Sequence, residues 1–262
     1  MPGARAVNSF DDSTNPPELR WPAADALLPP PAGGVAVWGA WLSGNARPTS
    51  APAGMGLAAE EQARALKFLT AELRQRYVAS RLVVRRLLGA CLGLAPERVP
   101  IQSDARGKPH LEGGGFEFNL AHSGDLLLVA VAKRMPVGVD VERVRPLRDA
   151  TAIARRFFTA READWLETRS GAERGRAFFR LWTRKEAVLK ATGEGISSGL
   201  NTIELLDHTG AFKDTVARGG GGVDATGWRL KELDPARGFI GALAWPAQAG
   251  PVEVLLRRAA PA

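Results

Sequence analysis

An internal repeat restricts the fold of this chain more than any other feature. Phe68-Leu69-Thr70-Ala71 returns as Phe157-Phe158-Thr159-Ala160. A helical pattern at 77–86, closed by Gly89, returns at 178–190, closed by Gly193. The apolar strand pattern at 124–131 returns at 238–245. A chain that runs twice through helix, helix and strands has two sets of apolar faces to bury. The expected solution is α+β: two similar α+β halves related by a pseudo-twofold, with a cleft between them. Clefts between such units are favoured places for small molecules. The halves are predicted at 33–145 and 146–262. Residues 1–32 hold seven of the eighteen prolines and read as an extended, unpacked segment.

Within the first half, 35–42 reads as a strand and 44–56 as a Pro/Gly/Ala-rich loop. Two helices are predicted at 58–75 and 76–93. Their apolar spacing turns Leu66, Phe68, Leu69 and Leu73 inward on the first, and Tyr77, Leu82, Val84, Leu87 and Leu88 inward on the second. Residues 116–120 read as extended and lead to a loop at Ala121-His122-Ser123-Gly124; strands follow at 126–133 and 137–142. The four glycines at 219–222 mark a hairpin tip. No run of eighteen apolar residues is present, and the first twenty residues lack the apolar core of a secretory signal, so neither a membrane partner nor export is expected. With Cys91 the single cysteine, no intrachain disulfide and no cysteine-built zinc site can form, which fits a reducing cytoplasm.

Thirty-five basic against 28 acidic side chains give a net charge of +7, and the excess is local. Residues 61–110 carry ten basic and four acidic side chains, a net +6 in that window. Such a window suits an anionic partner, whether nucleic acid, an acidic protein or a phosphorylated small molecule; a merely solubilising helix face explains it equally well. No zinc finger, RNA-recognition signature or interleaved aromatic pattern is present, so nucleic acid is not favoured.

Three constellations carry chemistry. In Gly138-Val139-Asp140-Val141-Glu142, strand alternation puts both carboxylates on one face and both valines on the other. Two neighbouring carboxylates repel unless a cation lies between them, and oxygen-only ligands favour magnesium; a solvated acidic face is the competing reading. In 182–190, Trp182, Glu186 and Lys190 are spaced four apart and share one helix face. Glu186 can complete an acid trio and Lys190 can hold a phosphate, or the two are a surface ion pair. His122, beside Ser123 at a strand end, can bond a phosphate oxygen or move a proton. The strand–Gly-x-Ser-x-Gly–helix turn of a serine hydrolase is absent around Ser123.

In this order and spacing the motifs resemble the 4′-phosphopantetheinyl transferases of the surfactin-synthetase-activating type. They are Gly107-Lys108-Pro109 with Phe118-Asn119-Leu120-Ala121-His122-Ser123, then 138–142, then Trp182, Lys185, Glu186 and Lys190 with Gly193 and Gly195. The resemblance implies transfer of phosphopantetheine from coenzyme A to a serine of an apo carrier protein. It implies magnesium held by Asp140, Glu142 and Glu186, and catalytic roles for Glu186 and Lys190. It places Lys190 and Lys185 against the coenzyme A pyrophosphate, and Lys108, His122 and Arg64 at the 3′-phosphate end. The family often has Ser where this chain has Ala121. Carrier proteins of this kind are generally acidic, which suits the basic window, and two halves in one chain are expected to act as a monomer. A magnesium-dependent nucleotide pyrophosphate hydrolase shares acids, metal and basic patch, and is the alternative enzyme. A non-catalytic binding module explains the charge but not the three carboxylates.

Overall fold

The computed structural model describes residues 16–23, 27–42, 56–193, 199–217 and 227–259. Two four-stranded sheets lie at its centre, and each is covered by one long helix.

The first sheet has the order β10-β1-β5-β4, built from β1 (Val35–Trp41), β4 (Phe116–Ser123), β5 (Leu126–Lys133) and β10 (Val254–Arg258). β1 and β5 are continuous apolar runs because both faces of this sheet are buried. On one face Ala36, Trp38, Leu127, Val129 and Val131 meet Val83, Val84, Leu87 and Leu88 of α2 (Ala71–Leu92). On the other face Val35, Val37, Leu126, Leu128 and Ala130 meet Val139, Val141, Leu243 and Trp245 of the second sheet. That sheet has the order β6-β9-β8-β7, with β6 (Gly138–Arg143), β7 (Thr215–Val216), β8 (Trp228–Leu233) and β9 (Phe239–Pro246). Its outer face carries Leu230, Ile240, Ala242 and Ala244 against Phe178, Leu181, Val188 and Leu189 of α5 (Gly171–Thr192). The layers therefore run helix, sheet, sheet, helix. A short pair, β2 (Ile101–Ser103) with β3 (Pro109–Leu111), stands outside both sheets.

The mixed α+β class read from sequence is what the chain adopts. One strand crosses the boundary predicted at residue 145. β10 lies in the predicted second half but pairs in parallel with β1 of the first sheet, Val35 opposite Val254 and Gly39 opposite Arg258.

Three local expectations are corrected. The helix boundary falls earlier than 75/76. α1 (Ala59–Ala65) ends before Leu66, and α2 starts at Ala71, where the Thr70 hydroxyl caps it by accepting from the Leu73 N–H at 3.2 Å. Leu66, Leu69 and Leu73 consequently lie at this corner, exposed rather than inward. The segment 121–124 is not a loop: β4 runs through Ser123, and a turn at Gly124-Asp125 leads directly into β5. Part of the proline-rich segment is packed. Leu19 bridges Ala236, the Arg258 N–H donates to the Pro22 carbonyl at 2.8 Å, and the Trp21 ring lies over Gly39 with 5% exposure. The glycines at 219–222 lie outside the described residues.

One glycine fixes how α5 meets its sheet. A Cβ on Gly138 would lie against the Ala187 carbonyl and 2.6 Å from the Ala191 nitrogen. Only a residue without a side chain lets the helix backbone approach this closely.

Candidate active site

β6 and α5 meet at that glycine, and the candidate residues follow from it. From Gly138, alternation turns Asp140 and Glu142 toward the α5 side and Val139 and Val141 toward the first sheet. On α5, Glu186 and Lys190 are one turn apart on the face that meets β6. The Lys190 ammonium donates to Asp140 Oδ1 at 2.8 Å. Asp140 Oδ2 and Glu186 Oε1 are buried with no hydrogen-bond partner. Burial pushes the Asp140 carboxyl up to about 6, against the pull of Lys190. Burial, followed by repulsion from Asp140, pushes Glu186 up to about 7, and Glu142 adds to that repulsion. The three acids thus act on one another electrostatically.

Glu142 is held from the other sheet. Ser123 Oγ donates to Glu142 Oε2 at 2.7 Å and accepts from the Arg143 N–H at 3.0 Å. Arg145 stands 3.8 Å from the same carboxylate oxygen. Asn119 Oδ1 accepts from the Val139 N–H at 3.0 Å, so β4 and β6 are stitched by side chains. Sequence reasoning, which weighs Ser123 only as a nucleophile, misses this orienting role. Its signal is the alternation of β4, which turns Asn119, Ala121 and Ser123 to one side.

Alternation also separates His122 from the acids. Its exposed side chain belongs to the β4 face that carries Phe118 toward α2, opposite to Ser123. Ala121 is buried in the apolar core between the sheets. Arg64 sits on α1, its guanidinium 5.7 Å from the Tyr77 ring centre. Lys108 reaches the end of α5: its ammonium donates to the Lys190 carbonyl at 2.7 Å, and burial pushes its pKa down. Next to it the Arg106 guanidinium donates to the Gly193 carbonyl at 3.0 Å. Gly193 ends α5 at φ +76°, which turns that carbonyl out toward the arginine. A cleft of about 450 Å³ opens here, lined by Arg106, Lys108, His110, Glu117 and Thr192. Sequence reasoning singles out only Lys108 of these. The others belong to no motif and meet only because the β2–β3 turn reaches the end of α5.

Lys185 lies apart from these residues. The expectation puts it on coenzyme A, but its ammonium has no exposure and pairs at 2.7 Å with Glu162, which is equally buried. It also donates to the Leu200 and Ile203 carbonyls. Glu162 caps α4 (Ala160–Glu167) by accepting from the Thr159 N–H and takes the Leu205 N–H as well. The group is satisfied on every side and faces the core rather than the cleft. The Glu194-Gly195 end of the motif lies outside the described residues.

A cation would relieve both the mutual repulsion of the acids and the two orphaned oxygens, and an all-oxygen donor set suits a hard ion. Among the described residues no three acidic, histidine or cysteine side chains are drawn together as a ready coordination shell. It is Lys190 that sits on Asp140.

Fold and site together define a mixed α+β enzyme with a buried acid–lysine centre at the junction of β6 and α5 and a charged cleft at the end of that helix. Residues 136–237 match the 4′-phosphopantetheinyl transferase superfamily, and residues 48–134 match the N-terminal part of 4′-phosphopantetheinyl transferase. The 4′-phosphopantetheinyl transferase HetI of Nostoc is 39% identical over 193 residues, covering 72% of this chain and 78% of that one. A phosphopantetheinyl transferase of Thraustochytrium is 32% identical over 212 residues, covering 71% and 73%. The 4′-phosphopantetheinyl transferase psf-1 of Bacillus pumilus is 34% identical over 162 residues, covering 57% and 68%. The chain belongs to the 4′-phosphopantetheinyl transferase family.

Proposed function

We propose that the protein transfers the 4′-phosphopantetheine group of coenzyme A to a serine hydroxyl of an apo acyl- or peptidyl-carrier protein, with magnesium, releasing 3′,5′-ADP. The observation that carries this reading is the pair of buried, unpartnered carboxylate oxygens on Asp140 and Glu186 beside Lys190. Such a centre has unmet demand for positive charge, and the cleft at the end of the same helix offers Arg106 and Lys108 to an anion.

Asp140, Glu142 and Glu186 are the residues that would hold the ion, with Glu142 oriented by Ser123. Bound there, magnesium supplies charge to the pyrophosphate of coenzyme A. Lys190 neutralises charge on the transferred phosphoryl group. Lys108 and its cleft receive the anionic nucleotide end, with Arg64 and His122 available on the α2 side. The carrier serine attacks the phosphorus next to the pantetheine arm, and its proton passes to the Glu186 carboxylate. A carboxyl raised to about 7 is well matched to that transfer near neutral pH. No nucleophile of the enzyme takes part, so transfer is direct and leaves no covalent enzyme intermediate.

The test is intact-mass analysis of apo carriers incubated with the protein, coenzyme A and magnesium. A gain of one phosphopantetheine on the carrier, abolished by excess chelator, supports the proposal. Loss of coenzyme A at the same rate without any carrier replaces it with pyrophosphate hydrolysis.

A further inference from the structure

Five large apolar side chains are exposed among the described residues, and three of them fall within eight residues of chain: Leu66 (73% exposed), Leu69 (97%) and Leu73 (45%). They occupy the corner where α1 stops and α2 starts. The corner has a firm base: the Phe68 and Tyr77 rings meet at 5.0 Å between centroids, and Thr70 caps the helix. Its rim is cationic. Arg64 lies over Tyr77, Arg74 reaches the Phe68 carbonyl at 3.5 Å, and Lys67 stands exposed between them. The acid on this rim, Glu72, is held by Arg76 at 3.1 Å. Arg76 also pairs with Asp125 at 2.5 Å. Asp125 belongs to the β4–β5 turn, two residues after the Ser123 that holds Glu142. The corner is therefore joined to the acid centre through one ion pair and one turn.

We infer that the α1–α2 corner is the docking surface for the acidic apo carrier protein, with Leu66, Leu69 and Leu73 as its apolar contact and Lys67 and Arg74 as its charged rim. This rests on the carrier-modifying reading above. An apolar centre inside a basic rim is complementary to a partner that shows apolar residues inside an acidic surface. The size fits a brief encounter. Three leucines expose far less than the roughly 800 Å² per partner of a stable interface, so a permanent second copy is not favoured, whereas a substrate protein that must leave after modification is. Its link to the β4–β5 turn places the docked partner beside the strand that orients Glu142.

The experiment uses full-length protein with Leu69→Ser, Leu66→Ser and Lys67→Glu, none of which lies in the catalytic or coenzyme A machinery. Initial rates are measured with carrier and coenzyme A varied separately. The expected result is a carrier KM raised about tenfold or more, with the coenzyme A KM, kcat and thermal midpoint unchanged. Cross-linking from a photoreactive residue at position 69 is expected to capture the apo carrier and to fade with salt. An unchanged carrier KM in all three variants overturns the inference, as does an equal rise in both KM values. So does concentration-dependent dimerisation that Leu69→Ser abolishes, which would give the corner to a second copy. If the wild-type protein modifies no carrier at all, it is the transferase proposal that fails, and this outcome is separate from all of these.

Discussion

Glu186 works against the fold that holds it. Its carboxyl, raised from the ordinary 4.5 to about 7 by burial and by Asp140, binds its proton more tightly folded than unfolded. Its own contribution to native stability then falls as pH rises from about 4.5 to about 7 and stays low above it. Glu186→Gln removes that dependence. It is expected to abolish transfer and to raise the melting temperature at pH 8 in chelator by a few degrees, on the order of 1 kcal/mol after allowance for partial solvation. The gain should vanish at pH 4.5, and calorimetry at the two pH values checks it. Lys185, its sequence neighbour, does the opposite. Lys185→Met removes the counter-charge of the fully buried Glu162 and leaves it only backbone donors, and a loss of about 3–5 kcal/mol is expected in urea unfolding. Pairing it with Glu162→Gln should restore part of that loss. Both residues belong to one motif, and sequence alone does not separate their roles. On a helix covered on one side by a sheet and on another by α4, adjacent positions face opposite environments. Which of the two meets the acids of β6 depends on where that strand lies.

At the level of elements, the contact of β6 with α5 sets the geometry of the centre. Gly138→Ala would push a methyl group into the Ala187 carbonyl and the Ala191 nitrogen, and neither is a flexible side chain. The helix must lift, carrying Glu186 and Lys190 away from Asp140. A destabilisation of more than about 4 kcal/mol is expected, together with activity below detection in whatever folds. Circular dichroism melts and the carrier mass assay read the two effects. The alternation in 138–142 is legible from the residues alone, because a period of two survives whatever the strand packs against. The α1–α2 corner is not. Leu66, Leu69 and Leu73 have helical spacing, and periodicity reports only that a face is apolar, not that anything inside the same chain covers it. The β2–β3 turn that brings Arg106 and Lys108 to the end of α5 is equally hidden, since it depends on a long-range approach with no local signature.

Across the whole molecule, the two sheets share the core between them, and residues 16–23 help to seal it. Trp21 lies in that shared core although its surroundings in sequence, rich in proline, read as unpacked. Trp21→Ala is expected to cost about 3 kcal/mol, seen as a lower urea midpoint, while the kcat of the folded fraction stays near normal at low temperature, because the ring touches Gly39 and not the acids. A repeat is legible in the sequence; the interlock of β10 with β1 is not, since Val254–Arg258 is a short segment ending in two arginines and far from its partner in sequence. That interlock orders events during synthesis. β1 emerges early from the ribosome and waits for β10, more than two hundred residues later, to cover its edge. Until then the first sheet presents an open strand on which a neighbouring nascent chain can add itself. A translation product halted midway is thus a candidate for chaperone retention rather than a working half-enzyme.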